Sequence, residues 1–329
     1  MFKEKIGPDK NSRIPINKRV SSMEAFYDPH GYAYYEPLSK ETFTYGASLS
    51  RNLGMKKIAI HHEFLGRGKQ SSWAHAHLNE EEAVYILKGT PTLYINGIPK
   101  IVTPGDFLFF QPGTGLTHCL KNTTSEHCEF LVVGEMDTDA EDKIIYENED
   151  RNDMCKILGH YWEGGANLNK EFNFYDIICK PNEIQWEDFA GYEKEHFVGG
   201  KCKDFARTMG AKRIAFKIVK LPHEMKSSYP HAESLEEEFA YVLEGKPHLL
   251  FHDTEIELFP YAAVGLPAGE GLIHSFHNKS GKEVTLIFSG EQTKAGNKYF
   301  YPHHPDLKKR EGVSKDWWEN PPSPSQDIF

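Results

Sequence analysis

The sequence predicts an all-β chain of two similar domains, each a β-sandwich or jelly roll, and two observations support this prediction. The first is an internal repeat, in which the distinctive residues between 71 and 122 recur 156 positions later. The second is a series of short strand-like runs, separated by turn residues at roughly 8–12 residue spacing. A repeat this long is a whole domain, because solenoid units span only about 20–50 residues. The length of 329 residues agrees, since domains average about 150 residues.

The predicted strands follow one another in the same order in both copies. In the first copy the β-rich runs are 57–60, 82–87, 92–95, 107–110 and 130–133. Asn96-Gly97 between two of these runs is a strong hairpin signal. In the second copy the corresponding runs are 213–216, 239–243, 248–251, 262–266 and 284–288.

The segments outside these runs set the expected domain boundaries. We expect a first domain over 1–135, an acidic linker over 136–170, a second domain over 171–291 and a tail over 292–329. The strand-rich cores of the two domains lie at about 43–135 and 199–291. Trp317 and Trp318 in the tail are expected to pack against a domain rather than bind a ligand.

Composition excludes several classes of protein. A net charge of −10, from 48 acidic and 38 basic residues, argues against a nucleic-acid-binding surface. No apolar run reaches the roughly 18 residues of a membrane span, and the first residues do not have the pattern of a signal peptide. The five cysteines have no metal-motif spacing, which favours reduced thiols and a cytoplasmic location.

The first copy contains a candidate metal site. His75 and His77 are two residues apart, so on a strand both rings project from the same face. Glu82 begins the next predicted strand, and His118 follows a glycine-rich turn further along. One His-x-His tripeptide is expected by chance in a chain with 17 histidines, but the full pattern is long and is repeated. Three imidazoles and one carboxylate can bind a divalent first-row metal and leave positions open.

The second copy contains a related set with one difference. His231, Glu238 and His274 match His75, Glu82 and His118, while Glu233 stands where the first copy has His77. Two histidines and two carboxylates still form a plausible site, and these harder donors disfavour copper. The other interpretation is a decayed site, in which Glu233 accepts a hydrogen bond or faces solvent. We therefore expect one or two divalent ions, with Fe, Mn, Zn or Ni as candidates.

Other charged residues near these motifs are interpreted as surface groups. The neighbouring glutamates of both copies are expected to be exposed turn carboxylates, and the His61-His62 pair to lie at the surface or behind the site. Four arginines are candidates for a clamp on an anionic substrate, although each is more simply a surface charge. These glutamates and arginines are Glu80, Glu81, Glu236, Glu237, Arg51, Arg67, Arg207 and Arg213.

The two motifs resemble those of the cupin superfamily. His75-Ala76-His77, Glu82 and Gly89 fit the first cupin motif, and Gly105, Pro112, Gly113, His118 and Asn122 fit the second. The resemblance covers roughly 43–135 and 199–291, so the chain is similar to bicupins, and particularly to a group of uncharacterised bacterial cupin proteins. It implies two double-stranded β-helix (jelly-roll) barrels, each with a metal inside its mouth.

The resemblance leaves the activity open. It favours a metal-dependent enzyme of the oxygenase or decarboxylase type, acting on a small carboxylate or polyol. The alternative is a non-catalytic module that binds or senses a sugar or small acid, and a storage protein is a third hypothesis. The expected partner is a small molecule, with no nucleic acid and no membrane. Exposed edge strands favour a homodimer.

Overall fold

The computed structural model describes residues 20–22, 32–35, 42–136, 142–189, 197–309 and 316–323. These residues form two β-barrels, as the all-β prediction requires. No helix in the described part of the chain is long and apolar enough to cross a bilayer.

The first barrel is built from two sheets that face each other. Its strands are β2 (Tyr32–Tyr35), β3 (Thr42–Ser48), β4 (Ile58–Leu65), β5 (His75–His77), β6 (Glu82–Lys88), β7 (Thr92–Ile95), β8 (Ile98–Ile101), β9 (Phe107–Phe110), β10 (His118–Lys121), β11 (Cys128–Glu135), β12 (Ile144–Tyr146) and β13 (Ile178–Cys179), after β1 (Val20–Ser22). One sheet has the order β13-β9-β6-β11-β4-β3-β2, and the other has the order β12-β5-β10-β7-β8. Helix α1 (Leu49–Asn52) lies between β3 and β4, and helix α2 (Glu149–Leu158) follows β12.

The second barrel repeats this architecture. Its strands are β14 (Glu187–Phe189), β15 (Gly200–Asp204), β16 (Ile214–Leu221), β17 (Ala232–Glu233), β18 (Glu238–Glu244), β19 (His248–Phe251), β20 (Thr254–Glu257), β21 (Ala262–Leu266), β22 (His274–His277), β23 (Val284–Glu291) and β24 (Tyr299–Phe300), with helix α3 (Phe205–Thr208). The large sheet has the order β1-β21-β18-β23-β16-β15-β14, and smaller sheets are formed by β20-β19-β22 and β17-β24.

Two strands cross the domain boundaries expected from the sequence. Strand β1 pairs with β21 of the second barrel, and β13 pairs with β9 of the first. Strand β12, inside the expected linker, pairs with β5 and extends the first barrel. Each crossing strand covers a sheet edge whose main-chain groups would otherwise lack partners. Sequence periodicity cannot reveal such exchanges, because β1, β12 and β13 are only two or three residues long.

The two large sheets pack against each other and form a core between the barrels. This core contains residues from both halves, including Leu53, Phe107, Phe205, Phe216 and Tyr241. Each barrel also has its own interior core, one around Phe130 and one around Phe276.

A pair of buried glutamates fastens the two barrels together. The Glu81 carboxylate accepts hydrogen bonds from the main-chain N–H groups of Lys212, Arg213 and Ile214 in the second barrel. The Glu237 carboxylate does the same for residues 56–58 of the first barrel. Glu81 is 3% exposed and Glu237 is 2% exposed.

The expectation that the turn glutamates are exposed was therefore wrong. Glu236 is buried as well, and its carboxylate accepts a hydrogen bond from the main-chain N–H of Lys294. Glu80 is partly buried beside the first candidate site. A run of acidic residues resembles a solvated turn in sequence, because the main-chain donors that bind it come from distant parts of the chain.

His62, expected at the surface or behind the site, is buried, since it is 1% exposed. Its Nδ1 lies 3.0 Å from the hydroxyl of Tyr241 in the other barrel, and its Nε2 lies 3.4 Å from Glu129. Burial opposes ionisation of Glu129, but hydrogen bonds from His62 and His127 outweigh it and lower the pKa of this carboxyl to about 2.

The aromatic residues of the tail pack into the fold, as predicted. Trp317 is buried in a small cluster with Tyr229, Tyr301 and Leu307. Strand β24 of the tail pairs with β17, which sets Tyr299 opposite Glu233. All five cysteines are free, and burial raises the pKa of the Cys119 thiol to about 11, so this thiol is a poor nucleophile.

Candidate metal centres

The first candidate site forms where three strands of the first barrel meet. Strand β5 carries His75 and His77, and His75 lies opposite His118 of β10 in the antiparallel register. Glu82 opens β6 on the facing sheet. The ring centroids of His75 and His118 are 4.8 Å apart, and those of His75 and His77 are 5.0 Å apart.

The four side chains converge on the Glu82 carboxylate. Its Oε2 lies 2.9 Å from Nε2 of His118, 3.4 Å from Nε2 of His77 and 3.8 Å from Nε2 of His75. The potential ligand atoms of His75, Glu82 and His118 all lie within 4.8 Å of one another. The site residues proposed from the sequence are therefore adjacent in the fold.

Hydrogen bonds at the back of the site fix the tautomers of two histidines. Nδ1 of His75 lies 2.8 Å from the carbonyl oxygen of Trp73, which can only accept, so this nitrogen carries the proton. Nδ1 of His77 lies 2.7 Å from Oδ2 of Asp142. When such a ring is neutral, its Nε2 presents a lone pair to Glu82, as metal-ligating histidines do.

The charges around His77 favour a cation at this position. Burial disfavours the charged ring, but the carboxylates of Asp142 and Glu82 outweigh it and raise the pKa of His77 to about 10. Burial and the neighbouring His118 lower the pKa of His75 to about 3. The two carboxylates hold a proton on His77, and a divalent ion would supply the same positive charge among the same donors, so the donor set fits a divalent ion.

The second candidate site has the same construction. His231 and His274 form an antiparallel bridge, with reciprocal main-chain hydrogen bonds of 3.1 and 2.9 Å. Their Nδ1 atoms lie 2.9 Å from the carbonyl oxygens of Tyr229 and Leu272, so both Nε2 atoms are free to act as ligands. Oε2 of Glu238 lies 2.8 Å from Nε2 of His274 and 3.8 Å from Nε2 of His231.

Glu233 belongs to this second set by position. Its Oε1 lies 3.7 Å from Nε2 of His231, and its Oε2 accepts a hydrogen bond of 3.3 Å from Nδ2 of Asn297. Burial and the neighbouring carboxylate of Glu238 raise the pKa of Glu233. Glu233 does not face open solvent, because its side chain is only 8% exposed.

The partners of His77 and Glu233 differ in a matched way. Asp142 supports His77 and also accepts from the main-chain N–H of Asn79, while Asn297 supports Glu233 and accepts from that of Leu235. In the first barrel a histidine ring donates to a carboxylate. In the second barrel a carboxylate accepts from an amide, so donor and acceptor have exchanged places. The paired replacement preserves a hydrogen bond behind the site, and a hydrogen bond accepted by Glu233 is also what the decayed interpretation expects.

Sequence reasoning missed Asp142 and Asn297. Asp142 lies 65 positions from His77, inside the expected linker, and Asn297 lies 64 positions from Glu233, in the expected tail. Neither belongs to a recognisable motif. Only the pairing of β12 with β5 and of β24 with β17 brings these segments to the sites.

The candidate arginines do not serve as an anion clamp in the described part of the chain. Arg207 binds Glu187 at the surface, and Arg213 binds Glu135 between the barrels. Arg67 does not line a cavity beside either site. The side chain of Arg51 is outside the described residues.

Comparisons with known proteins agree with this architecture. Residues 62–134 match the cupin domain family. No curated protein shows a significant match to the sequence. The first candidate site thus lies within the matched segment, and the second lies in its internal repeat.

Several solved structures share the two-barrel fold. A protein of Pseudomonas aeruginosa assigned as glyoxylate-induced is 15% identical, with a TM-score of 0.60 over 88% of this chain and 95% of its own. Oxalate decarboxylase from Lactobacillus farciminis, in complex with formate, is 15% identical, with a TM-score of 0.55 over 91% and 92%. A mutant of Bacillus subtilis oxalate decarboxylase is 16% identical, with a TM-score of 0.54 over 88% and 81%. The chain therefore has the fold of a bicupin, and the prediction of two jelly-roll barrels is confirmed.

Proposed function

We propose that this bicupin is a metal-dependent enzyme of the oxygenase or decarboxylase type, with its reactive centre in the first barrel and a small carboxylate as substrate. One observation carries this proposal, namely the convergence of His75, His77 and His118 with the Glu82 carboxylate beside a small cavity. With a divalent ion, three neutral imidazoles and one carboxylate leave a net charge of +1, which favours an anionic substrate.

The surrounding residues support this chemistry. When bound, the metal would act as a Lewis acid that stabilises negative charge developing on the substrate. Asp142 and the Trp73 carbonyl hold His77 and His75 in the ligating tautomer. Phe110 lies flat against His118, with ring centroids 3.6 Å apart, and excludes water from that side. The cavity of about 130 Å³ has room for only a few waters or a very small acid.

The experiment begins with the metal content of protein purified without a metal-binding tag. Plasma mass spectrometry of the wild type, His77→Ala and Glu233→Ala would assign ions to the two barrels. The loaded protein would then be tested for oxygen uptake and for carbon dioxide release with small mono- and dicarboxylic acids. We expect turnover that is lost in His118→Ala and retained in an exposed variant, Glu126→Ala. Protein that binds no metal under any reconstitution would contradict the proposal.

A second function is favoured by a separate observation. The cavity of the second barrel, about 310 Å³, is more than twice as large as the first. This supports a ligand-binding role for the second barrel, which need not include catalysis.

A further inference from the structure

The second barrel has room for a complete small-molecule ligand. Its cavity of about 310 Å³ lies over His231, Glu238 and His274. Pockets that bind small molecules start at about 300 Å³, and the first-barrel cavity is well below that size. The side chains that line the cavity therefore indicate the class of ligand that it binds.

The wall of this cavity is rich in carboxylates that have no lysine or arginine partner. Glu233, Glu236 and Glu238 line it, and within the described residues none of them forms an ion pair with lysine or arginine. A fourth carboxylate, that of Glu291, is balanced by Lys57 and Lys294.

The only lysine or arginine in the described wall is already paired. This is Lys217, whose Nζ lies 3.6 Å from the carboxylate of Asp204. No arginine belongs to the wall, so the bidentate donor that usually recognises a carboxylate is lacking there. A divalent ion held by His231, Glu238 and His274 would keep a net charge of +1, which the wall carboxylates of Glu233 and Glu236 offset, so an anionic ligand gains little from it.

Aromatic side chains form another part of the wall. Tyr301 stacks on His231, with ring centroids 5.7 Å apart and an interplanar angle of 26°. The ring centroids of Tyr299 and Tyr301 are 6.3 Å apart, and Phe288 of β23 also lines the cavity. Such faces bind the apolar C–H surface of a ligand, while the carboxylates accept hydrogen bonds from its hydroxyl groups.

We propose that the second barrel binds a neutral, polyhydroxylated molecule of about hexose size, which contacts the carboxylates of Glu233 and Glu236 and the rings of Tyr299 and Tyr301. The two barrels then recognise different chemical classes, an anion in the first and a polyol in the second. This inference rests on the proposed function in one respect, since it requires an ion at His231, Glu238 and His274.

The test is a calorimetric titration of metal-loaded, full-length protein with D-glucose, D-fructose, D-mannitol and oxalate at matched ionic strength. We expect at least one polyol to bind, and to bind equally well to His118→Ala. Its affinity is expected to fall about tenfold in Tyr299→Ala and in Glu236→Gln. Tyr299→Phe keeps the ring and is expected to lose less, which separates the loss of a contact from the unfolding of the tail.

Three results would overturn the inference. One is the absence of binding for every polyol up to about 50 mM, well above a millimolar Kd, in protein whose second barrel is loaded. Another is a polyol affinity that Tyr299→Ala and Glu236→Gln leave unchanged. The third is tighter binding of oxalate than of polyols by His118→Ala. Metal analysis of the same samples separates these results from failure of the proposed function, which would appear as metal-free barrels or as missing turnover.

Discussion

Replacing Glu237 with alanine is expected to weaken the attachment between the two barrels. The Glu237 carboxylate accepts main-chain hydrogen bonds of 2.9 Å from Lys56, 2.9 Å from Lys57 and 3.2 Å from Ile58. A hydrogen bond to a charged group contributes about 1.5–3 kcal/mol, and a buried donor left without a partner costs about 1–3 kcal/mol. Because Lys56 is exposed and water can reach part of the vacated space, we expect a loss of about 3–5 kcal/mol in the free energy of unfolding.

The assay is urea unfolding followed by intrinsic fluorescence, combined with hydrogen exchange of the amides. Glu81→Ala is the matched variant in the first barrel and is expected to lower the free energy of unfolding by a similar amount. Glu237→Gln keeps one accepting oxygen and should lose less. Exchange in Glu237→Ala should accelerate at Lys57 and Ile58, in the barrel that does not contain the substitution.

A matched control makes this reasoning refutable. Glu126 is exposed, so Glu126→Ala is expected to change stability by no more than about 0.5 kcal/mol. If Glu237→Ala proved as mild as Glu126→Ala, or if exchange rose only within the second barrel, the carboxylate would not fasten the barrels together.

Three further predictions follow from individual contacts. Asp142→Asn removes the carboxylate behind His77 and is expected to weaken metal binding about 10–100-fold, measured by competition with a chelator; unchanged affinity would rule out this supporting role. At Gly271 the backbone φ is +68°, and an added Cβ would lie 2.2 Å from the carbonyl oxygen of Pro322. Gly271→Ala should therefore release the end of the tail and speed its proteolysis. Unchanged cleavage would count against the contact. The pKa of Glu129 lies at about 2 in the folded protein, below its value of about 4.3 in an unfolded chain. The stabilisation by the Glu129 carboxylate is therefore complete above the unfolded pKa and is lost as the pH falls towards 2. Glu129→Gln should flatten the acid limb of the curve of unfolding free energy against pH. An equally steep limb would contradict the low pKa of Glu129.

The sequence by itself determined the two-barrel fold and the position of both candidate sites. These features depend on local patterns, namely strand alternation and the fixed spacing between Glu82 or Glu238 and the neighbouring histidines. Because each pattern recurs 156 residues later, the candidate ligands could be distinguished from the many other histidines.

Tertiary structure alone decided what surrounds each site. The environments of Asp142, Asn297 and Tyr299 depend on strands β12 and β24, whose pairings span long stretches of chain. Glu81 and Glu237 resembled solvated turn residues, yet each is buried because main-chain donors of the other barrel bind it. Such contacts leave no periodic pattern in the sequence, because their partners are main-chain groups that any residue type supplies.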